Sequence, residues 1–408
     1  MTSRWAKRLL DVRQLLINAD ATYFDAEIFR LNINNAIQTA RTVTFLMQKE
    51  KNSRPGMEQW YVDHVRAPLE ADTRMKWLVD SRNIIEKEGD LDVNSYWRAF
   101  HLFSYWDAGP EIRASSRDDL FADLSGLWRL IKKSMPEGVV SGSSIVIDRK
   151  WVANSLPEFE LVDAVAYGYE TLRRVVLAMD EYVGMESPKE LHDTKPLFSI
   201  AQLRRSFIKF SDGATYRLGD TPNTQEPSAE VKRSFAELLR NSSRPIFGGM
   251  GQALEEGIRQ LSDFAVRLFN KDKYHISLCM LFSEGRLTQL LEFHPADQAE
   301  KFIFWHEMAY CVKLWNITEI RFISEAWLRA PQSHEIPISE WPITGEVLHV
   351  VGARSDGDTF NIGYEIKRDG DDVRVGEIIE EEVGIPNYLV PSMKTWGHSW
   401  EWIESRLI

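Results

Sequence analysis

Two helical segments in the first quarter of the chain carry arginines and amides at spacings that could build an anion site. In the stretch DSRNIIEKEGD (80–90), Arg82 is followed at once by Asn83 and four residues later by Glu86. Residues four apart share a helix face, so Arg82 and Glu86 are expected to pair. The helical segment before it places four more polar side chains on one stripe: Arg30, Asn34, Arg41 and Gln48. Two interpretations stay open: a buried polar network that fixes helix register, and a site for an anionic ligand or RNA phosphate.

A second candidate site lies in the stretch FISEAWL (322–328), whose residues alternate as in a strand. Alternation places Ile323, Glu325 and Trp327 on one face of a sheet. A carboxylate on a core-facing surface needs a cationic partner. Three side chains are candidates for that role: Arg321, Arg354 and Lys367. Glu325 with Arg321 is therefore predicted to be either a satisfied structural pair or a binding site in the second half of the chain.

Several other chemistries are excluded by the residues at the critical positions. His306 and Glu307 would begin a zinc-protease motif, but Tyr310 stands where the second histidine is required. With Cys279 and Cys311 as its only cysteines, the chain can form neither a disulfide framework nor a cysteine-rich zinc site. We therefore predict no catalytic residue, no metal and no cofactor.

The composition is that of a soluble globular protein with more than one core. The 408 residues are 44% hydrophobic and 27% charged, and a chain of this length is expected to form two domains. The net charge of −12 disfavours a broadly basic nucleic-acid surface, so RNA is a less favoured partner. The N-terminus lacks the apolar core of a signal peptide, and no run is long enough to span a bilayer. We expect a cytoplasmic protein without membrane contact.

Hydrophobic periodicity predicts the helices that must position the first group of residues. A long helix is expected with Asp25 as its N-cap, and a second helix from about 69 to 87. A third helix is expected over about 118–133. A fourth should begin after Ser155, with Glu158 completing a capping box.

The predicted fold class is α+β with more than one domain. We assign 1–190 to an α-helical bundle, 191–247 to a linker that contains a hairpin, and 248–408 to an antiparallel sheet flanked by helices. Extended segments are also expected in SYWRAFHLFSYW (95–106) and SSIVIDRKWV (143–152).

The helical half resembles HEPN-type domains, through its bundle pattern and the Arg82-Asn83 step near a helix end. In that family an arginine, a polar residue and a histidine form a metal-independent ribonuclease site at a dimer cleft. Lys87 holds the histidine position here, so the resemblance implies a non-catalytic relative in a bacterial defence or stress system. The element order of the second half is similar to that of profilin-like and roadblock-like domains.

One leading hypothesis and two alternatives follow. The leading hypothesis is a non-catalytic binding or regulatory protein whose HEPN-like bundle mediates homodimer formation or contact with a protein partner. The first alternative is a metal-independent ribonuclease that uses Arg82 and Arg41, with a base supplied by His64 or His101. The second is a small-molecule sensor that holds its ligand in the sheet domain around Glu325.

Overall fold

The chain forms two compact units. The computed structural model describes residues 2–106, 111–112, 142–192, 204–217, 224–225, 253–330, 332, 336, 340–370 and 372–408. Unit 1 holds the described residues of Met1–Arg98 and Asp148–Arg204, and unit 2 those of Ala99–Ile112, Ile131–Ile147 and Arg205–Ile408. The predicted helix over 118–133 and most of the predicted linker 191–247 lie outside the described residues, so the predicted domain boundaries stay predictions.

Unit 1 is built mainly from helices. Their bounds are Arg4–Ala21 (α1), Ala26–Lys49 (α2), Met57–Tyr61 (α3), Ala67–Ala71 (α4), Thr73–Glu88 (α5) and Leu161–Val183 (α6). A π-helical turn over Val62–Arg66 joins α3 to α4. Apolar stripes on the long helices pack together, as the periodicity predicts. The core they form includes these fully buried residues: Leu9, Val12, Leu16, Ile33, Ile37, Leu172 and Val176.

Polar caps decide where α2 and α5 begin. The side chain of Asp25 accepts a hydrogen bond from the backbone N–H of Ile28, which confirms the predicted cap of α2. The carboxylate of Asp72 accepts from two backbone N–H groups of the first turn of α5, so that helix begins at Thr73. The prediction of one helix from Leu69 is wrong, because it joins the separate helices α4 and α5.

The predicted start of α6 after Ser155 is also wrong. The helix begins only after Glu160, whose carboxylate caps it by accepting from the backbone N–H of Asp163 at 3.0 Å. The hydroxyl of Ser155 instead accepts from the indole N–H of Trp77 at 2.9 Å, so it does not cap a helix. The Tyr23 hydroxyl donates to Glu160 Oε1 at 3.0 Å. Burial raises the pKa of Glu160 to about 7.

A five-stranded sheet has the strand order β2-β1-β3-β4-β5. The strands span Val93–Leu102 (β1), Glu111–Ile112 (β2), Ser144–Ala153 (β3), Arg204–Lys209 (β4) and Thr215–Arg217 (β5). β1 and β3 confirm the two extended segments that the sequence predicts. The antiparallel β4–β5 pair lies where the sequence predicts a hairpin. The chain passes between the two units within β1, β3 and β4.

Unit 2 contains a seven-stranded sheet with the order β12-β11-β10-β9-β7-β8-β6. The described residues of unit 2 also form the helices Leu254–Asp272 (α7), Gln298–Leu314 (α8), Val390–Thr395 (α9) and Trp400–Glu404 (α10). Its strand pairs are antiparallel, so the predicted α+β class is confirmed. None of the helices that the structure describes is both long and apolar enough to cross a membrane. The strands are Thr224–Gln225 (β6), Leu278–Ser283 (β7), Arg286–Phe293 (β8), Glu319–Arg329 (β9), Ile343–Arg354 (β10), Thr359–Asp369 (β11) and Asp372–Glu382 (β12).

The seven-stranded sheet is covered by helices on both faces. Side-chain alternation sends Ile323 of β9 towards α7 and Phe322 towards α8 and α9. The α7 face is tightly packed at Gly352 of β10, where a Cβ atom would lie only 2.5 Å from Cδ1 of Ile258. The sheet is therefore the central layer of unit 2.

Candidate functional site

A cavity of about 560 Å³ opens in unit 1. Its walls come from α2, from the segment that joins α3 through the π-helical turn to α4, from α5, and from Leu172 of α6. Part of the wall is apolar: Val62, Leu69, Met75, Leu78, Val79 and Leu172. The remainder includes these polar side chains: Arg41, Thr44, Gln48, Tyr61, Arg66 and Lys76. The volume lies within the range of small-molecule pockets.

Arg41 on α2 gives this cavity a positioned positive charge. Its Nη1 donates to Thr44 Oγ1 at 2.9 Å, and its guanidinium carbon lies 4.3 Å from the ring centroid of Phe45. Both contacts come from the next turn of the same helix, where side chains three and four residues apart meet. Among the described residues, no carboxylate forms an ion pair with Arg41. The guanidinium is therefore oriented by neutral groups.

Two other cations of the cavity wall each form an ion pair with a carboxylate. Lys51 Nζ lies 3.1 Å from Glu58 Oε1, and Arg66 Nε lies 2.8 Å from Glu70 Oε1. These charges largely cancel within each pair, and both pairs are accessible to solvent. The charge of Arg41 is not cancelled in this way.

Tyr61 adds a hydroxyl group to the same wall. Burial raises the pKa of Tyr61, and the positive charges of Arg41 and Arg66 oppose that rise. The phenol is therefore neutral at ordinary pH and can donate its O–H to an anion. Lys76 and Asp80, one turn apart on α5, contribute opposite charges to the wall.

The helical turn beside Tyr61 is irregular. Val62–Arg66 has π-helical geometry, which is rare and frequently found at functional sites. Pro68 follows in the first turn of α4. Proline has no backbone N–H to donate to the preceding turn, which is a physical reason for the change of helix geometry. The irregular turn places Tyr61, Val62 and Arg66 along one wall of the cavity.

The polar stripe predicted on α2 divides into two groups. Arg41 and Gln48 line the cavity. Arg30 instead forms an ion pair with Asp90, and Asn34 Nδ2 donates to the other oxygen of that carboxylate at 2.7 Å. Arg30 and Asn34 thus hold the segment that follows α5.

Arg82 pairs on the surface of α5. It forms an ion pair with Glu86, as their spacing predicts, and its Nη1 donates to Asn83 Oδ1 at 3.2 Å. The Arg82 and Glu86 side chains are 25% and 47% exposed, so they do not form a buried network. No hydrogen bond or ion pair between described residues joins Arg82 to Arg41.

Glu325 of unit 2 forms an ion pair with Arg368 of β11. Its Oε2 accepts from Arg368 Nη2 at 3.2 Å, and its other oxygen accepts a backbone N–H just after α7. Arg321, the partner expected from the sequence, donates from Nε to Glu319 Oε1 at 2.5 Å. Arg354 donates to the same carboxylate at 2.6 Å. Glu325 is thus a satisfied sheet carboxylate, and Arg321 belongs to a separate ion-pair cluster.

The two histidines considered as bases are engaged elsewhere. The ring of His64 stacks on Trp60 with centroids 4.9 Å apart. His101 Nε2 lies 2.9 Å from Ser143 Oγ, and burial lowers its pKa. His101 belongs to unit 2, whereas the cavity belongs to unit 1. Across the described ranges, no group of three His, Cys, Asp or Glu side chains is placed to hold a metal ion.

Sequence reasoning missed Tyr61, Lys76 and the wall that carries them. The available signal was the short segment MEQWYVDHVRAPLEAD (57–72), in which Pro68 interrupts a helical pattern. A proline inside such a pattern marks a change of helix geometry. It does not show which side chains face one another.

Comparisons with known proteins cover nearly the whole chain. The family described as Bacteriophage lambda protein ea47 matches residues 2–405. The chain belongs to this family. Protein ea47 of Escherichia phage lambda is 32% identical over 383 residues, which is 90% of this chain and 90% of that protein. No solved structure gives a significant match to this ea47-family chain.

Membership in the ea47 family corrects both resemblances drawn from the sequence. One family extends over 2–405, so the HEPN-type resemblance of the helical half is wrong. The profilin-like or roadblock-like resemblance of the sheet half is wrong for the same reason. The Arg82-Asn83 step consists of two common residues, which is too little to identify a family. The expected defence or stress role rested on that step and loses its support.

Proposed function

We propose that this ea47-family protein is a binding protein whose unit 1 cavity takes a small organic acid. The ligand has an apolar body and one anionic group, a carboxylate or a sulfonate. One observation carries the proposal. Arg41 is oriented beside an apolar wall and has no ion-pair partner among the described residues.

The apolar wall supports a ligand with a hydrocarbon or aromatic body. Val62, Leu69, Met75, Leu78 and Val79 offer methyl, methylene and thioether groups to the cavity. A polar body against these groups would lose hydrogen bonds to water without replacement. An apolar body would instead gain about 25 cal/mol for each Å² that it removes from water.

The charges favour an acid at one end of that body. A guanidinium binds a carboxylate or sulfonate through two parallel N–H donors. The hydroxyl of Tyr61 and the amide of Gln48 are further donors in the wall. Glu58, Glu70 and Asp80 also line the cavity and balance the charges of Lys51, Arg66 and Lys76, so the wall is left with the single positive charge of Arg41 and does not attract a long polyanion such as RNA. A compact monoanion therefore fits better than a nucleic-acid strand.

The proposal keeps the binding role predicted from the sequence. The proposed binding site is the cavity beside Arg41 and no longer the surroundings of Glu325. The protein partner or second copy expected from the sequence is not needed for this site.

Titration with 8-anilinonaphthalene-1-sulfonate tests the proposal, because this dye has an aromatic body and one sulfonate. We expect a saturable rise in fluorescence from one site on the full chain. Decanoate should displace the dye, and decyltrimethylammonium, which has the opposite charge, should not. Arg41→Gln should weaken dye binding about 10- to 100-fold, which corresponds to the loss of one charge-assisted contact.

Arg30→Gln is the matched control. Arg30 lies on the same helix and carries the same charge, but it pairs with Asp90 and does not line the cavity. We expect its dye affinity to stay within twofold of the wild type. Equal affinity in the wild type and Arg41→Gln, with both variants folded by circular dichroism, would refute the proposal.

A further inference from the structure

A second concave surface lies in unit 2 and has a different character. It is a groove of about 300 Å³ between α8 and α9, with Trp106 and Arg205 at its sides. His306, Tyr310 and Lys313 of α8 are spaced four and three residues apart, so they project into the groove from one helix face.

The groove concentrates positive charge in an acidic protein. Arg205, Lys313 and Lys394 all line it, and none of its described lining residues is acidic. The chain as a whole has a net charge of −12. Lys313 forms no ion pair with any described carboxylate. A local positive potential of this kind attracts phosphate groups even when the rest of the surface is negative.

The groove also presents aromatic rings to solvent. The Trp106 side chain is 48% exposed, and its ring lies 5.7 Å from that of Trp400. The guanidinium carbon of Arg205 lies 5.7 Å from the ring centroid of Tyr310. Cations interleaved with exposed aromatic rings are the pattern on which single-stranded nucleic acids bind, with phosphates on the cations and bases stacked on the rings.

Two hydrogen bonds hold Trp106 in position before any ligand arrives. Lys394 Nζ donates to the backbone carbonyl of Trp106 at 2.5 Å. His306 Nε2 lies 3.1 Å from the carbonyl oxygen of Ser104, two residues earlier. The segment after β1 that carries the tryptophan is thus fixed by both helices of the groove. A preformed site loses less conformational entropy on binding.

We propose that this groove binds single-stranded nucleic acid, with a phosphate against Lys313 and one base stacked on Trp106. The small volume accommodates about one nucleotide, so a paired duplex does not fit. The groove belongs to unit 2 and the organic-acid cavity to unit 1, so the two proposals are independent.

Fluorescence anisotropy with labelled dT12, rU12 and a duplex of the same length tests the inference on the full chain. We expect saturable binding of the single strands at about 50 mM salt, and affinity that falls steeply as salt is added. The duplex should bind at least tenfold more weakly. Comparison of dT12 with rU12 shows whether the natural strand is DNA or RNA.

Two variants, each with a matched control, locate the site. Lys313→Glu should weaken dT12 binding about tenfold and flatten its salt dependence. Lys271→Glu makes the same charge change on α7, where the side chain is 75% exposed, and should leave binding within about twofold. Trp106→Ala should also weaken binding about tenfold. Trp327→Ala removes another exposed tryptophan of unit 2 and should not.

Three outcomes would overturn the proposal. The first is the absence of saturable dT12 and rU12 binding at low salt. The second is equal affinity for single strands and duplex. The third is an equal loss in each variant and its control, which would mean that binding is not at the groove.

Discussion

Replacing Lys209 with methionine should destabilise unit 2 by about 3–5 kcal/mol, because it leaves a buried carboxylate without its cation. Lys209 Nζ lies 2.6 Å from Asp297 Oδ2 and 2.9 Å from Glu300 Oε1. Lys209 and Glu300 are only 3% and 2% exposed. Burial disfavours the Lys209 cation, but the hydrogen bonds with Asp297 and Glu300 outweigh burial and raise its pKa. The lysine is therefore charged in the folded protein.

The size of this destabilisation depends on which carboxylate loses Lys209 as its cationic partner. Asp297 is 30% exposed and can be solvated by water, whereas the side chain of Glu300 is 3% exposed and cannot. Without Lys209, the neutral donor that the described residues offer Glu300 is the backbone N–H of Ala296, at 2.6 Å. A neutral donor does not replace a cation beside a buried charge, so more of the penalty falls on Glu300 than on Asp297.

Urea denaturation followed by tryptophan fluorescence measures this loss. Adding Glu300→Gln to Lys209→Met removes the charge and keeps an acceptor for Ala296, so it should restore about 2 kcal/mol. Lys271→Met, at an exposed site, should stay within about 0.5 kcal/mol of the wild type.

A loss below about 1 kcal/mol in Lys209→Met would refute the reasoning, because a buried, unpaired charge is more costly than that. The same holds if the double variant is no more stable than the single one. In that case Glu300 would not be the group that needs the lysine.

Three further substitutions can be measured by the same denaturation. Gly352→Ala should destabilise the protein by about 1–3 kcal/mol, because the added Cβ would lie 2.5 Å from a side-chain carbon of Ile258. Gly345→Ala on the same strand is the control, since the atom nearest to its added Cβ lies 3.6 Å away. Glu160→Gln should flatten the pH dependence of stability. Because the folded-state pKa of Glu160 is about 7 against an ordinary 4.5, the folded protein holds that proton more tightly. The wild type therefore loses up to about 3 kcal/mol as the pH rises between these values. Arg82→Ala should change stability by less than about 0.5 kcal/mol, because its ion pair is on the surface.

Each of these expectations has a contrary result. Equal losses for Gly352→Ala and Gly345→Ala would mean that α7 does not pack tightly on β10. A pH dependence that persists in Glu160→Gln would assign the titration to another group. A loss above about 2 kcal/mol in Arg82→Ala would indicate a buried polar network instead of a surface pair.

Local features of the fold can be predicted from the sequence, because their causes lie within a few residues. The cap at Asp25 is an example, and it is present. Ser155 shows the limit. The neighbouring sequence predicts that its hydroxyl caps a helix. In the structure the hydroxyl instead accepts a hydrogen bond from the indole N–H of Trp77, which is far away in the chain.

Non-local contacts account for most of what the sequence could not predict. Glu325 and Arg368 lie on β9 and β11, which are separated by β10 in the sheet. Their meeting depends on the register of two strand pairs, which no local pattern specifies. At the candidate site, Arg41 can be predicted from its helical stripe. Tyr61 cannot, because a π-helical turn breaks the 3.6-residue spacing from which helix faces are read.

The passage of the chain between the two units inside β1, β3 and β4 has a consequence for how the gene can recombine with that of a relative. Neither unit corresponds to one uninterrupted stretch of the gene, since segments of unit 2 lie between segments of unit 1. A single recombination crossover with a relative cannot replace the whole of one unit without also replacing part of the other. Neither unit can therefore be exchanged intact in one step, and residues that pack against each other within a unit must change in concert across distant parts of the gene.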